Sequence, residues 1–92
     1  MLFMIAGYLK PGAEEQIINF RADLNEHFTE PSLVAGGVLR GHDGRRVGYM
    51  GFVHAVAVEE AQRFLDESPL FEEGLYERFE IFRYELEVGN VS

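Results

Sequence analysis

Residues 33–53 read LVAGGVLRGHDGRRVGYMGFV. Two apolar runs flank a polar centre. Asp43-Gly44 within that centre is a two-residue hairpin signal, because both inner positions of such a turn favour positive φ. With Asp43-Gly44 as the turn, His42 faces Arg45, Arg40 faces Val47, Val38 faces Tyr49, Gly36 faces Gly51 and Val34 faces Val53. Side chains alternate across a strand. One sheet face therefore carries Val34, Gly36, Val38, Arg40, Val47, Tyr49, Gly51 and Val53. The other carries Leu33, Ala35, Gly37, Leu39, Gly48, Met50, Phe52 and His54. Both are apolar. A one-residue bulge would exchange them.

On the N-terminal side, Met1–Leu9 reads as a strand, with Lys10-Pro11-Gly12 as its turn. Between Ala13 and Phe28, Ala13, Ile17, Phe20, Leu24 and Phe28 recur at three- and four-residue steps, the stripe of a helix. Pro31 lies just beyond it. On the C-terminal side the second hairpin strand runs over Val47–Val58. A second helix opens at Val58 with Ala61, Phe64 and Leu65 as its apolar face, and Pro69 ends it. Tyr76–Val88 is the last strand, with Phe82, Tyr84, Leu86 and Val88 on one side and Phe79, Ile81, Arg83 and Glu85 on the other.

The order is βαββαβ, an α+β, ferredoxin-like arrangement in one domain spanning residues 1–92. It has a four-stranded antiparallel sheet with two helices on one face. Two helices cover only one face of such a sheet, and here both faces are apolar. The uncovered face is expected to meet a second copy, giving a homodimer with two sheets packed face to face.

Composition narrows the function. Ninety-two residues bury a modest core, so oligomerisation is an expected source of further buried area. Net charge is −8, with six acids and five bases in residues 1–58 but ten acids and three bases in residues 59–92. Such a surface repels phosphate backbones and anionic lipid, so neither nucleic acid nor membrane is an expected partner. The chain has no cysteine, which removes disulfides and thiol chemistry and fits a reducing compartment. The apolar start MLFMIAGYL is too short to span a bilayer and lacks the basic flank and cleavage site of a signal peptide. The expected location is the cytoplasm.

Residues that carry chemistry are few. Glycine weakens a strand, so the facing pair Gly36 and Gly51 marks a bulge, a close backbone approach or a hollow. A hollow flanked by Arg40 and Tyr49 would suit a small anionic or aromatic ligand, with a guanidinium to clamp a carboxylate and an aromatic wall with a polar tip. Alternatively the glycines ease strand twist and Arg40 pairs with an acid of the partner. His27, His42 and His54 lack metal-ligand spacing, so no metal is expected. His42 falls at the hairpin tip, His27 at the edge of the first helix's stripe, and His54 beside Met50 and Phe52. The run GGVLRGHDG has neither a dinucleotide-binding glycine pattern nor a Walker lysine, and no cofactor is expected. The adjacent acids Glu14-Glu15, Glu59-Glu60 and Glu72-Glu73 splay around helix surfaces. They do not form an acid/base dyad.

The run from Ala35-Gly36 through Asp43, Gly44 and Gly48, then Val58-Glu59-Glu60-Ala61, Phe64-Leu65, Ser68-Pro69-Leu70 and Gly74-Leu75-Tyr76, resembles the YCII-like family. The resemblance covers about two thirds of the chain. It implies a small dimeric α+β barrel. Family members typically carry a histidine on the first helix and an aspartate before the proline of an Asp-Pro-aromatic word, thought to act as acid and base in a pocket at the sheet. A few relatives are dehydrochlorinases of aromatic degradation. By spacing, the histidine position falls near Asn19, with Arg21 or Asp23 as alternatives, and the aspartate position falls on Ser68. Helix termination alone is the other reading of Ser68-Pro69.

Asparagine and serine hydrogen-bond without exchanging protons near neutral pH. The resemblance therefore implies a homodimer that binds a small ligand, or is purely structural, and lacks the family's proton-transfer pair. Asn19, Arg40, Tyr49 and Ser68 are its candidate binding residues. The alternative is a cofactor-free lyase or isomerase acting on a small aromatic or carboxylated metabolite. There Arg40 and Tyr49 would hold substrate and His54 would move the proton.

Overall fold

The computed structural model describes residues 1–20, 24 and 26–89; Arg21 and Asp23 lie outside the described residues, as does the side chain of Phe20. Four strands, β1 (Leu2–Leu9), β2 (Leu33–Arg40), β3 (Arg46–His54) and β4 (Tyr76–Tyr84), form one antiparallel sheet in the order β2-β3-β1-β4. Among the described residues a 3₁₀ helix (Ala13–Phe20), α1 (Val58–Asp66) and a short α2 (Pro69–Glu72) accompany the sheet. This is the expected α+β, ferredoxin-like topology. The strand ends differ: β3 stops at His54 rather than Val58, and β4 at Tyr84 rather than Val88.

The central hairpin closes differently from the two-residue turn. Gly44 N–H donates to the Gly41 carbonyl at 2.9 Å and Gly41 N–H to the Arg45 carbonyl at 2.9 Å. Gly44 has φ +83°, and no other kind of residue among those described has a positive φ. The loop is therefore the three-residue kind, a tight turn followed by a left-handed glycine. Asp43 Oδ1 accepts from Arg45 N–H at 3.0 Å, and Arg40 Nη1 donates to the Gly44 carbonyl at 2.7 Å.

The extra loop residue sets Arg40 opposite Arg46 instead of Val47. The register then shifts again, so that Leu39 meets Gly48, Val38 meets Tyr49 and Gly36 meets Gly51, as the sequence implied. A second irregularity, between Leu33 and Ala35, puts Leu33 rather than Val34 opposite Val53. Leu33 accordingly joins the helix-facing core.

The first helical stretch is not one α-helix from Ala13 to Phe28. It begins as a 3₁₀ helix, with Ala13 N–H on the Lys10 carbonyl, while Leu24, Glu26 and His27 are helical further on. Ala13, Ile17 and Leu24 are buried, but Phe28 is 41% exposed. Pro69 does more than end a helix. Glu67 caps α1, and Pro69 then opens α2, where its fixed φ and missing N–H suit the first helical position. That short helix drives Leu70 into full burial.

The core is divided. Leu9, Ala13, Ile17, Leu24, Tyr49, Leu70 and Leu75 form one buried cluster. Phe3, Ile5, Val53, Ala55, Ala61 and Leu65 form the other. Tyr76 packs against both. Its ring crosses β1 at Gly7, where an added Cβ would lie 2.5–2.9 Å from three ring atoms. Gly7 is the residue that lets a tyrosine on the edge strand reach the space between the clusters.

No described helix packs on the opposite face of the sheet. It carries Leu2, Met4, Ala6 and Tyr8 of β1, Leu39 of β2, Met50 and Phe52 of β3, and Arg78, Glu80, Phe82 and Tyr84 of β4, by strand alternation from the observed registers. Phe82 is 55% exposed, and the Phe52 and Tyr84 rings meet edge to face at 4.9 Å. One end of this face is polar. Arg78 lies 3.8 Å above the Tyr8 ring and forms a 3.0 Å ion pair with Glu80.

Candidate functional site

Between the sheet and the helices lies a cavity of about 440 Å³. The glycines Gly7, Gly36 and Gly51 line it together with apolar side chains such as Ile5, Phe28 and Phe64. Gly36 and Gly51, paired in the register, therefore do border a hollow. Four residues with polar side chains are among those that line it: His27, Tyr49, Ser68 and Tyr76.

Each is placed by a different element. His27, in the helical stretch before β2, stacks on Phe64 of α1 with ring centroids 4.2 Å apart and planes at 32°. Desolvation holds its imidazole below the usual histidine range, opposed by the nearby carboxylates of Glu30, Glu67 and Glu72. The neutral ring is favoured, and a neutral imidazole accepts a proton. Tyr49, from β3, is buried, and its hydroxyl accepts from Arg46 Nη1 at 2.9 Å. Ser68 is 4% exposed, with extended backbone at the N-cap of α2 but no side-chain cap hydrogen bond. Burial pushes the Tyr76 phenol up to about 12, partly opposed by hydrogen bonding from Ser68. Tyr76 stays a protonated donor throughout the neutral range.

Two of the sequence-derived candidates, Tyr49 and Ser68, line the cavity together. The others lie elsewhere. Arg40 is exposed and turned to its own hairpin loop at Gly44. Asn19 is exposed on the 3₁₀ helix. His54 pairs with Leu2 on the helix-free side of the sheet and is exposed near Met1 and Glu60. Since Tyr49, Gly51 and Val53 face the helices, alternation turns His54 away from the cavity. His27 takes its place as the histidine at the wall.

Arg46, Tyr76 and Gly7 were not among the sequence candidates. A glycine inside an apolar strand is a legible sign of close approach, so Gly7 could have been read. The pairing of Arg46 with Tyr49 depends on the register shift at Val47, which leaves no local signal. Among the described residues no group of three or more histidine, aspartate or glutamate side chains could hold a metal ion. No described helix is long and apolar enough to cross a membrane.

Solved structures share this architecture. The chain superposes on 5-chloro-2-hydroxyhydroquinone dehydrochlorinase from Burkholderia phenoliruptrix AC1100, in complex with 2,5-dihydroxybenzoquinone, with a TM-score of 0.82 and 22% identity; 92% of this chain and 94% of that one are covered. SnoaB, a cofactor-independent oxygenase from Streptomyces nogalater, aligns with a TM-score of 0.61 and 15% identity over 97% of both chains. Rv0793 from Mycobacterium tuberculosis aligns with a TM-score of 0.57 and 12% identity, covering 96% of this chain and 97% of that one. These likenesses establish the α+β fold. No protein-family model and no curated protein matches the sequence.

Proposed function

We propose that this protein binds a small aromatic compound in the cavity beneath its helices and works as a homodimer closed through the helix-free sheet face. The carrying observation is the cavity itself: about 440 Å³, walled by aromatic and aliphatic residues, with four residues bearing polar side chains in its lining. That is the composition of a small-molecule site, mostly apolar with a few placed hydrogen-bonding groups. The dehydrochlorinase that shares the fold was solved with a dihydroxybenzoquinone, a ring of suitable size for such a space. The Ala35–Tyr76 resemblance to the YCII-like family supports the same reading.

The dimer rests on the exposed apolar residues of the helix-free face, Phe82 foremost. A thermal-shift screen of hydroxylated aromatics, benzoates and quinones tests the binding half, since a ligand taken only by the folded chain raises its midpoint. A flat response across that set refutes it. Sedimentation equilibrium tests the dimer, and a monodisperse monomer at micromolar concentration refutes that half.

A second reading, catalysis, is favoured by His27. A half-buried imidazole kept neutral at the wall of a cavity is equipped to take a proton from a bound phenol without any cofactor. In this reading His27 is the base, replacing His54, while Tyr49 and Ser68 bind. Turnover of a halogenated hydroquinone that survives in His27→Gln at the parent rate removes it.

A further inference from the structure

We infer that Ser68 and Tyr76 act as a paired hydroxyl clasp that grips an oxygen carried directly on the ring of the cavity's ligand, and that Gly7 exists to let Tyr76 reach it. The inference rests on the preceding proposal that the cavity holds a small aromatic compound. Its substrate class is narrower: rings bearing a phenolic or ketonic oxygen, rather than hydrocarbon rings of equal shape.

Three observations converge. Tyrosine aside, Ser68 is the one buried polar residue among those described. Its backbone is already satisfied, the N–H donating to the Leu65 carbonyl and its carbonyl accepting from Glu72 N–H, each at 3.0 Å. It stands at an N-cap position, where a serine hydroxyl ordinarily holds a free helical N–H, yet makes no such bond. The hydroxyl is left uncommitted on a residue that lines the same cavity as Tyr76.

Tyr76 is the second observation. It is the partly buried residue packed against both core clusters, so its ring is held between them. Its phenol stays protonated well above neutral pH and can donate to an accepting oxygen. The third is Gly7: a mid-strand position gives up its side chain where any Cβ would strike the Tyr76 ring. Glycine weakens a strand, and that loss is offset only if the ring is wanted there.

A serine hydroxyl both donates and accepts, and so does a phenol. Two such groups in the wall of one cavity match a ring oxygen in either state, hydroxyl or carbonyl. A methyl group of the same size would leave the Tyr76 donor without an acceptor, which is how a site built to hydrogen-bond rejects an isostere.

Hydroquinone and p-xylene are the probes, equal in shape and differing in ring oxygens. The wild-type chain should prefer hydroquinone, with Tyr76→Phe losing about tenfold and Ser68→Ala about fivefold in hydroquinone affinity while p-xylene binding is little changed. In the unsubstituted protein, the Cζ resonance of Tyr76 should move on adding hydroquinone and stay in place with p-xylene. Equal loss for both probes in both variants assigns the pair to packing and overturns the inference. So does an unsubstituted protein that binds both probes equally, which leaves the cavity reading standing. If neither probe binds, the clasp falls, and the cavity reading falls with it when the thermal-shift set is flat as well.

Discussion

Replacing Gly7 by alanine reverses its effect according to what occupies position 76. In the native chain the new Cβ would sit 2.5, 2.6 and 2.9 Å from three ring atoms of Tyr76, far inside ordinary contact. The ring packs against both core clusters, so it has no cheap direction of retreat. Overpacking of this kind costs ~1–3 kcal/mol. In a domain of this size that lowers the thermal midpoint by about 4–8 °C for each kcal/mol.

In a Tyr76→Ala background the obstruction is gone. Alanine then restricts the unfolded chain more than glycine does, and the same substitution should stabilise by ~0.4–1 kcal/mol. The interaction energy of the cycle is thus about 1.5–4 kcal/mol, obtained from urea unfolding of the four chains followed by circular dichroism. An effect of Gly7→Ala with the same sign and size in both backgrounds would refute the placement of Tyr76 over β1.

Other outcomes follow from the same geometry. Gly48→Ala should be worse than Gly7→Ala in every background, because its Cβ would strike the backbone carbonyl of Gly7, which cannot rotate aside; loss of the cooperative transition would be seen by circular dichroism. Phe82→Asp, at a residue 55% exposed on the helix-free face, should yield monomers in sedimentation equilibrium while leaving the far-ultraviolet spectrum intact. Because burial depresses the folded-state pKa of His27, the unfolded chain binds its proton more readily. Stability should therefore fall as pH drops below about 6.5, and His27→Gln should flatten that limb in pH-dependent melts. Tyr76 shifts the other way: with its folded value near 12, the stability it contributes should fade as pH rises from about 10, and Tyr76→Phe should remove that loss.

The sheet was legible because alternation survives distortion. Gly36 opposite Gly51 and Val38 opposite Tyr49 follow from assuming a turn at Asp43-Gly44, although the loop holds one residue more than assumed. The extra residue is compensated at Val47, so two departures cancel and the hairpin's centre keeps its faces. Val34 has no such compensation, and Leu33 took the place opposite Val53. The start of the 3₁₀ helix was not visible, since buried Ala13 and Ile17 suit either winding.

The cavity was half legible. Glycines and Tyr49 announced a hollow, and Ser68 drew notice at its proline. His27 could be placed only at the edge of the first helix's stripe, because its position at the wall depends on a partner thirty-seven positions later in the chain, Phe64, which no local pattern connects to it. Arg40 and His54 drew attention as chemically able side chains, but the turn recruits the first and the pleat directs the second outward.

The register shifts at either end of β2 have a bearing on how the molecule avoids its own kind of trouble. β2 is an outermost strand, glycine-rich and uncharged from Leu33 to Leu39, which is the sort of rim that recruits identical rims into endless ribbons. A kink between Leu33 and Ala35 and another between Leu39 and Arg40 leave only a short straight length between them. Neighbouring molecules arriving in solution would find a template too brief to copy, so the glycines that border the hollow lie on a rim that is hard to extend.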